Sequence, residues 1–165
     1  MKRITITVLS FVGSLGCEPV AQPEVDVPSF ANAHGVVQSV TGMGLYTDFG
    51  GKRTWSFTAV KHADGTVRGE WEGINRSFDP NRKGHGNIIC FTIVGNQAWI
   101  GAINEHFRVG TEFGWRVIDN GQGANALPDQ ITRTLQVGAP ASDFCASTPN
   151  IGVPHDLEAG NIQVR

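Results

Sequence analysis

Large apolar and polar residues alternate in steps of two through most of the chain after residue 33, with glycine breaking the runs. Trp55, Phe57 and Ala59 oppose Thr54, Ser56 and Thr58, and Val67, Gly69 and Trp71 oppose Arg68, Glu70 and Glu72. Ile89, Phe91 and Ile93 form another such face, as do Phe113, Trp115 and Val117. Successive strand side chains point to opposite faces, so each run reads as a half-buried strand. No window carries a capped helical stripe. Asp64-Gly65 and Gly95-Asn96 read as two-residue hairpin turns, because both pairs tolerate positive φ. Strands are expected near 34–42, 53–62, 66–77, 87–94, 97–107, 112–119, 131–137 and 160–164. About eight antiparallel strands make an all-β domain, a small closed barrel or alternatively a two-sheet sandwich. Closure removes exposed edges, and a barrel of this size is either filled by side chains or holds one small ligand.

The first seventeen residues carry a different pattern. Lys2 and Arg3 precede an apolar run from Ile4 to Val12, and Ser14-Leu15-Gly16 lead to Cys17. This is the layout of a secretory signal peptide, and the cysteine after Gly16 resembles a bacterial lipoprotein signal. The apolar run is short for a transmembrane helix. Ser14 stands where lipoprotein peptidases favour leucine, which leaves ordinary cleavage near Ala21 or at Ala31-Asn32-Ala33 as the alternative. The organisation expected is a signal peptide over 1–17, a tether over 18–33 and one β-domain over 34–165. The tether follows from Pro19, Pro23 and Pro28 among Glu18, Glu24 and Asp26, a composition that buries little and stays extended.

Three cysteines in an exported chain leave one over. With lipid on Cys17, Cys90 and Cys145 remain as a disulfide pair, which would pin the irregular segment Ala139–Pro154 to the sheet. The lipid makes a membrane the first expected partner. A formal net charge of −2 without a basic stripe excludes nucleic acid as an expected partner.

Motifs that carry chemistry are sparse. Glu70 and Glu72 share one strand face beside Arg68, and paired carboxylates can serve acid–base catalysis; a solvated strand face explains them more simply. Glu105 is a third catalytic candidate, but His106 beside it would point to the opposite face of a strand. Histidines at 34, 62, 85, 106 and 155 follow no zinc spacing. The nucleophile elbow, phosphate loop and dinucleotide fingerprint are missing, and no cofactor is expected. Asn75-Arg76-Ser77 is a formal glycosylation sequon, of little meaning behind a bacterial signal. The loop from Asp119 to Gln130 offers oxygen ligands, with Asp119 and Asp129 as its calcium candidates. It departs from the EF-hand at Gly121, Gly123 and Gln130, and a structured loop whose carboxylates satisfy backbone amides is the competing reading.

Five segments come in order: Val40-Thr41-Gly42-Met43-Gly44, Trp55-Ser56-Phe57, Val94-Gly95-Asn96-Gln97-Ala98-Trp99-Ile100-Gly101, Asp119-Asn120-Gly121-Gln122-Gly123 and Gly160-Asn161-Ile162-Gln163-Val164. Together they resemble the signature of a broad group of exported or lipid-anchored bacterial β-proteins of unassigned function. Met43 replaces the group's usual glycine and Gln122 a frequent glutamate, which removes a carboxylate from the loop. The resemblance implies a fold class and no reaction. Gly69-Glu70-Trp71 matches the Gly-x-Trp of lipocalin-like barrels but falls on the third strand, a coincidence.

The expected function is therefore that of a non-enzymatic, lipid-anchored β-domain of the cell envelope, periplasmic or on the outer surface. It would bind a small ligand or an envelope partner, or serve as structure. The alternatives are an envelope hydrolase acting on glycans through Glu70, Glu72 or Glu105, and a calcium-binding module.

Overall fold

A computed structural model describes residues 35–76, 83–106, 108–123, 125–137 and 140–165. The expected leader with Cys17, the expected tether, His34 and Ser77 of the sequon lie outside the described residues. Ten strands and one helix follow in order: β1 (Val36–Asp48), β2 (Gly51–His62), β3 (Val67–Asn75), β4 (Lys83–Val94), β5 (Gln97–Asn104), β6 (Glu112–Ile118), β7 (Gln130–Thr132), β8 (Leu135–Gln136), α1 (Ala141–Ser147), β9 (Pro154–Asp156) and β10 (Ala159–Val164). They form one antiparallel sheet in the order β10-β1-β2-β3-β4-β5-β6-β7-β9, with β8 also on β6. The all-β antiparallel expectation is borne out, as one strongly curled half-barrel sheet.

The ladder ends at β10 on one side and β9 on the other. Ile162 of β10 and Ile131 of β7 nevertheless bury into the same core. The seam between them is stitched by carboxylates. Asp129 Oδ2 accepts from Ile162 N–H at 2.6 Å, and Asp119 Oδ2 accepts from Val164 N–H at 2.9 Å. Both amides belong to the edge of β10 turned away from β1, because the neighbouring residue Arg165 exchanges hydrogen bonds with Ser39.

The inward face is filled. Trp55 stacks on Trp71 at 4.7 Å, and Trp115 meets Trp55 and Phe57 edge-on. Glycines make room for these rings: a Cβ on Gly73 would stand 2.1 Å from Trp55, and one on Gly42 would stand 2.5 Å from Phe57. This is why β1 runs on through Gly42 and Gly44 to Asp48, beyond its expected end at 42, and why β4 begins at Lys83 rather than 87. Glycine here permits a close approach rather than ending a strand.

Several other expectations need correction. A bulge between Ile88 and Cys90 buries Ile88 with Phe91 and leaves Ile89 on the surface, since the extra residue resets the alternation. The Asp64-Gly65 connection is a three-residue loop, because His62 N–H pairs with Thr66 C=O around residues 63–65. Gly95-Asn96 does join Val94 directly to Gln97. A two-residue turn not read from the sequence lies at Phe49-Gly50, both at positive φ. The strand expected over 131–137 divides into β7 and β8.

The helix α1 also lies where none was expected. It has seven residues, follows Pro140 and makes no side-chain cap, so local signals for it are weak. Ala141, Phe144 and Cys145 are buried at helical spacing. Phe144 and Cys145 pack with Trp99 on the outer face of the sheet, where a Cβ on Gly114 would meet Phe144 at 2.6 Å. The Ala141 N–H donates to the Glu112 carboxylate. Cys90 of β4 and Cys145 of α1 form a disulfide-capable pair, with Cα atoms 6.2 Å apart.

Candidate functional site

Two surfaces gather polar chemistry. The first is the outer face of β10, β1, β2, β3 and β4. Antiparallel register sets Asn161, Met43, Ser56, Glu72 and His85 side by side in one rung, and Gln163, Thr41, Thr58, Glu70 and Asn87 in the next. These residues and Glu105 line a groove of about 990 Å³. The groove thus brings together all three catalytic candidates, Glu70, Glu72 and Glu105. All three are exposed. Glu72 lies 3.8 Å from Lys83, and the Asn87 amide donates to Glu105. A face this open does not exclude water from a reacting bond. Glu105 and His106 follow the end of β5 rather than lying in a strand, and the His106 ring stacks on His85 at 5.2 Å.

The second surface is the open end of the half-barrel, where β1 ends and β2 begins. A cavity of about 760 Å³ is floored by Trp55, Trp71 and Phe113 and walled by Arg53, Lys83, Arg108 and Arg133. Trp55 is half-buried, whereas Trp71 is 5% exposed. Both indole N–H groups are shut away from solvent without an acceptor among the described residues, so the cavity meets ring carbon rather than donors. Behind the wall lies Asp48, its side chain only 4% exposed. Arg53 Nε stands 3.1 Å and Arg133 Nε 3.8 Å from the same Asp48 oxygen, and His155 Nε2 stands 3.8 Å from the other. A buried carboxylate is tolerated only when such partners answer it. Two arginines share this one acid, which positions Arg53 and leaves the pair Arg53 and Arg133 with surplus positive charge. Arg133 also lies over the Phe49 ring at 4.6 Å. Beside Asp48, burial pushes the Tyr46 phenol up to about 12.

The calcium candidates stand at the opposite end. All four carboxylate oxygens of Asp119 and Asp129 accept backbone amides: Gly121 and Val164 donate to Asp119, Asn120 and Ile162 to Asp129. Two of these bonds are local, as the structured-loop reading expects, and two cross to β10. Among the described residues, no three His, Cys, Asp or Glu side chains are grouped to hold a metal ion.

The basic wall was missed by motif reading. Its signal was parity. Arg53 falls on the same strand face as Trp55, Phe57 and Ala59, and Asp48 on the same face as Val40 and Tyr46. A charged residue at an inward position marks a place where the interior meets something other than hydrocarbon. No family model, curated protein or solved structure matches the chain.

Proposed function

We propose that this chain is a non-catalytic binding module, exported, held at the cell envelope by lipid on Cys17, and taking a small ligand at the open end of the half-barrel. The observation that carries the reading is the half-buried Trp55, stacked on Trp71 in the floor of a cavity of about 760 Å³. A cavity of that size with aromatic surface and a few placed polar groups suits one small molecule. The rest of the core is filled by aromatic and aliphatic side chains, which supports the mouth as the place for a ligand. The test is a thermal-shift screen of sugars, nucleosides and organic acids against the wild type and Trp55→Ala. Shifts seen with wild type and lost in Trp55→Ala support the module. No shift with any compound, or shifts that survive the substitution, count against it.

Anchoring rests on the layout from Lys2 to Cys17. Mass spectrometry of the membrane fraction is expected to find acyl chains on Cys17, and Cys17→Ser to release the protein. An unmodified N-terminus beyond Cys17 would refute this part alone.

One observation favours a second reading, a glycan hydrolase: Glu70, Glu72 and Glu105 line the same outer groove. Release of reducing ends from envelope glycans, abolished by Glu70→Gln, Glu72→Gln or Glu105→Gln, would support it over the binding module.

A further inference from the structure

We infer that the ligand of the open end is a small anion with a flat ring body, an aryl or sugar ring carrying a carboxylate or phosphate. The inference rests on the proposed binding role of this cavity and names the chemistry of what it takes.

Four side chains of the cavity wall, Arg53, Lys83, Arg108 and Arg133, are cationic, and none of the described residues that line it is an acid. Lys83 is answered by Glu72 at 3.8 Å, so the surplus lies with Arg53 and Arg133 alone, two guanidinium groups on one carboxylate. Asp48 is one charge shared by Arg53 and Arg133, with His155 also beside it. Asp48 is also buried behind them, so a ligand in the cavity meets the guanidinium groups first. Guanidinium is planar and presents several donors, which suits the paired oxygens of a carboxylate or phosphate. Arg53 is held in place by Asp48, so little freedom is lost when a ligand binds it. The half-buried Trp55 supplies the other half of the recognition. Its N–H is shut away, so its contact is through the ring face, which an aryl ring or the apolar face of a sugar covers. A free inorganic ion would use the arginines and leave the rings bare; a neutral ring would use the rings and leave the charge unanswered.

The test compares matched pairs by tryptophan fluorescence on the full chain: phenyl phosphate against phenol, and glucuronate against glucose. The anionic member of at least one pair is expected to bind tenfold or more tightly than its neutral twin, and to weaken as salt is raised. Arg133→Gln, at a half-exposed position, is expected to weaken the anion at least fivefold while leaving the thermal midpoint close to wild type. Arg53→Gln is expected to weaken the anion more strongly but to lower the thermal midpoint, since it removes the nearest partner of buried Asp48, and Arg133→Gln keeps the test decisive if Arg53→Gln does not fold. Equal binding of charged and neutral twins would overturn the inference and leave the binding role standing. Anion binding unchanged in Arg133→Gln would place the anion elsewhere and also overturn it. If none of the four probes binds, the ligand class is wrong, whatever the thermal-shift screen returns for other compounds.

Discussion

The Asp129 carboxylate accepts the Ile162 N–H at 2.6 Å, across 33 residues of chain, where a closed barrel would have a strand-to-strand bond. The same carboxylate takes the Asn120 N–H through its other oxygen. Asp129→Ala strands two amides, one of them on a strand whose Ile162 is buried. Such a loss is worth about 3 kcal/mol, and Asp129→Asn, which keeps one acceptor, about half of that. Urea unfolding measures both. The same experiment with and without calcium is expected to give identical midpoints, since a calcium site at a hundred times its Kd would add about 2.7 kcal/mol. A calcium-dependent rise abolished by Asp129→Ala would make this loop a metal site.

Reducing the Cys90–Cys145 pair should destabilise the domain by about 4 kcal/mol on the chain-entropy argument for a loop of this length, since 55 residues separate the two cysteines. Its effect is expected to concentrate on α1, which has no side-chain cap of its own. Thiol counting on unreduced, folded protein checks the premise, and two reactive thiols in the folded domain would contradict it.

Gly73→Ala is expected to destabilise the fold by about 2 kcal/mol, through overpacking against Trp55. It should also change the near-ultraviolet circular dichroism, because Trp55 must move off Trp71. Gly35→Ala is the control: nothing lies within 4 Å of its Cβ position, and its stability should stay within about 0.5 kcal/mol of wild type.

Tyr46 is the only tyrosine, so absorbance of the phenolate reports it alone. Burial raises the phenol from 10.0 to about 12 in the folded state. Below pH 10 both folded and unfolded forms are neutral, and this contribution to stability is fully present. As pH climbs from 10 towards 12 the unfolded chain ionises first and the folded state loses ground, by about 3 kcal/mol at the limit. The titration midpoint is expected near 12 in native protein and near 10 in urea. Tyr46→Phe should remove the pH dependence in this range.

Alternation was legible because it depends only on which neighbours share a face. Trp55, Phe57, Trp71, Trp115 and Val117 were placed inward correctly on that basis. It broke down where the backbone departs from strict pleating, at the bulge beside Ile89, and where glycine serves a ring on the next strand, as Gly42 and Gly84 do. Phe144 and its helix were hidden because about two turns held by tertiary contacts leave almost no periodic signal. In the candidate site, the carboxylates of the outer groove were visible by type. The Arg53–Asp48 pair was visible only by position, since neither belongs to a motif. Arg133 could not be found at all: it follows a three-residue strand, and only folding brings it to Asp48.

The chain enters β1 at Val36 and leaves β10 at Val164, which pairs with Val40, whereas the arginine-walled cavity lies where β1 finishes at Asp48. Along β1 this sets Val36 roughly 40 Å and Val164, beside Val40, roughly 26 Å from Asp48, at ~3.3 Å per residue. Immobilising the domain on a sensor chip or fusing it to a reporter through either flank would therefore leave the cavity unobstructed. A bulky group grafted at Phe49-Gly50 would stand at the doorway itself.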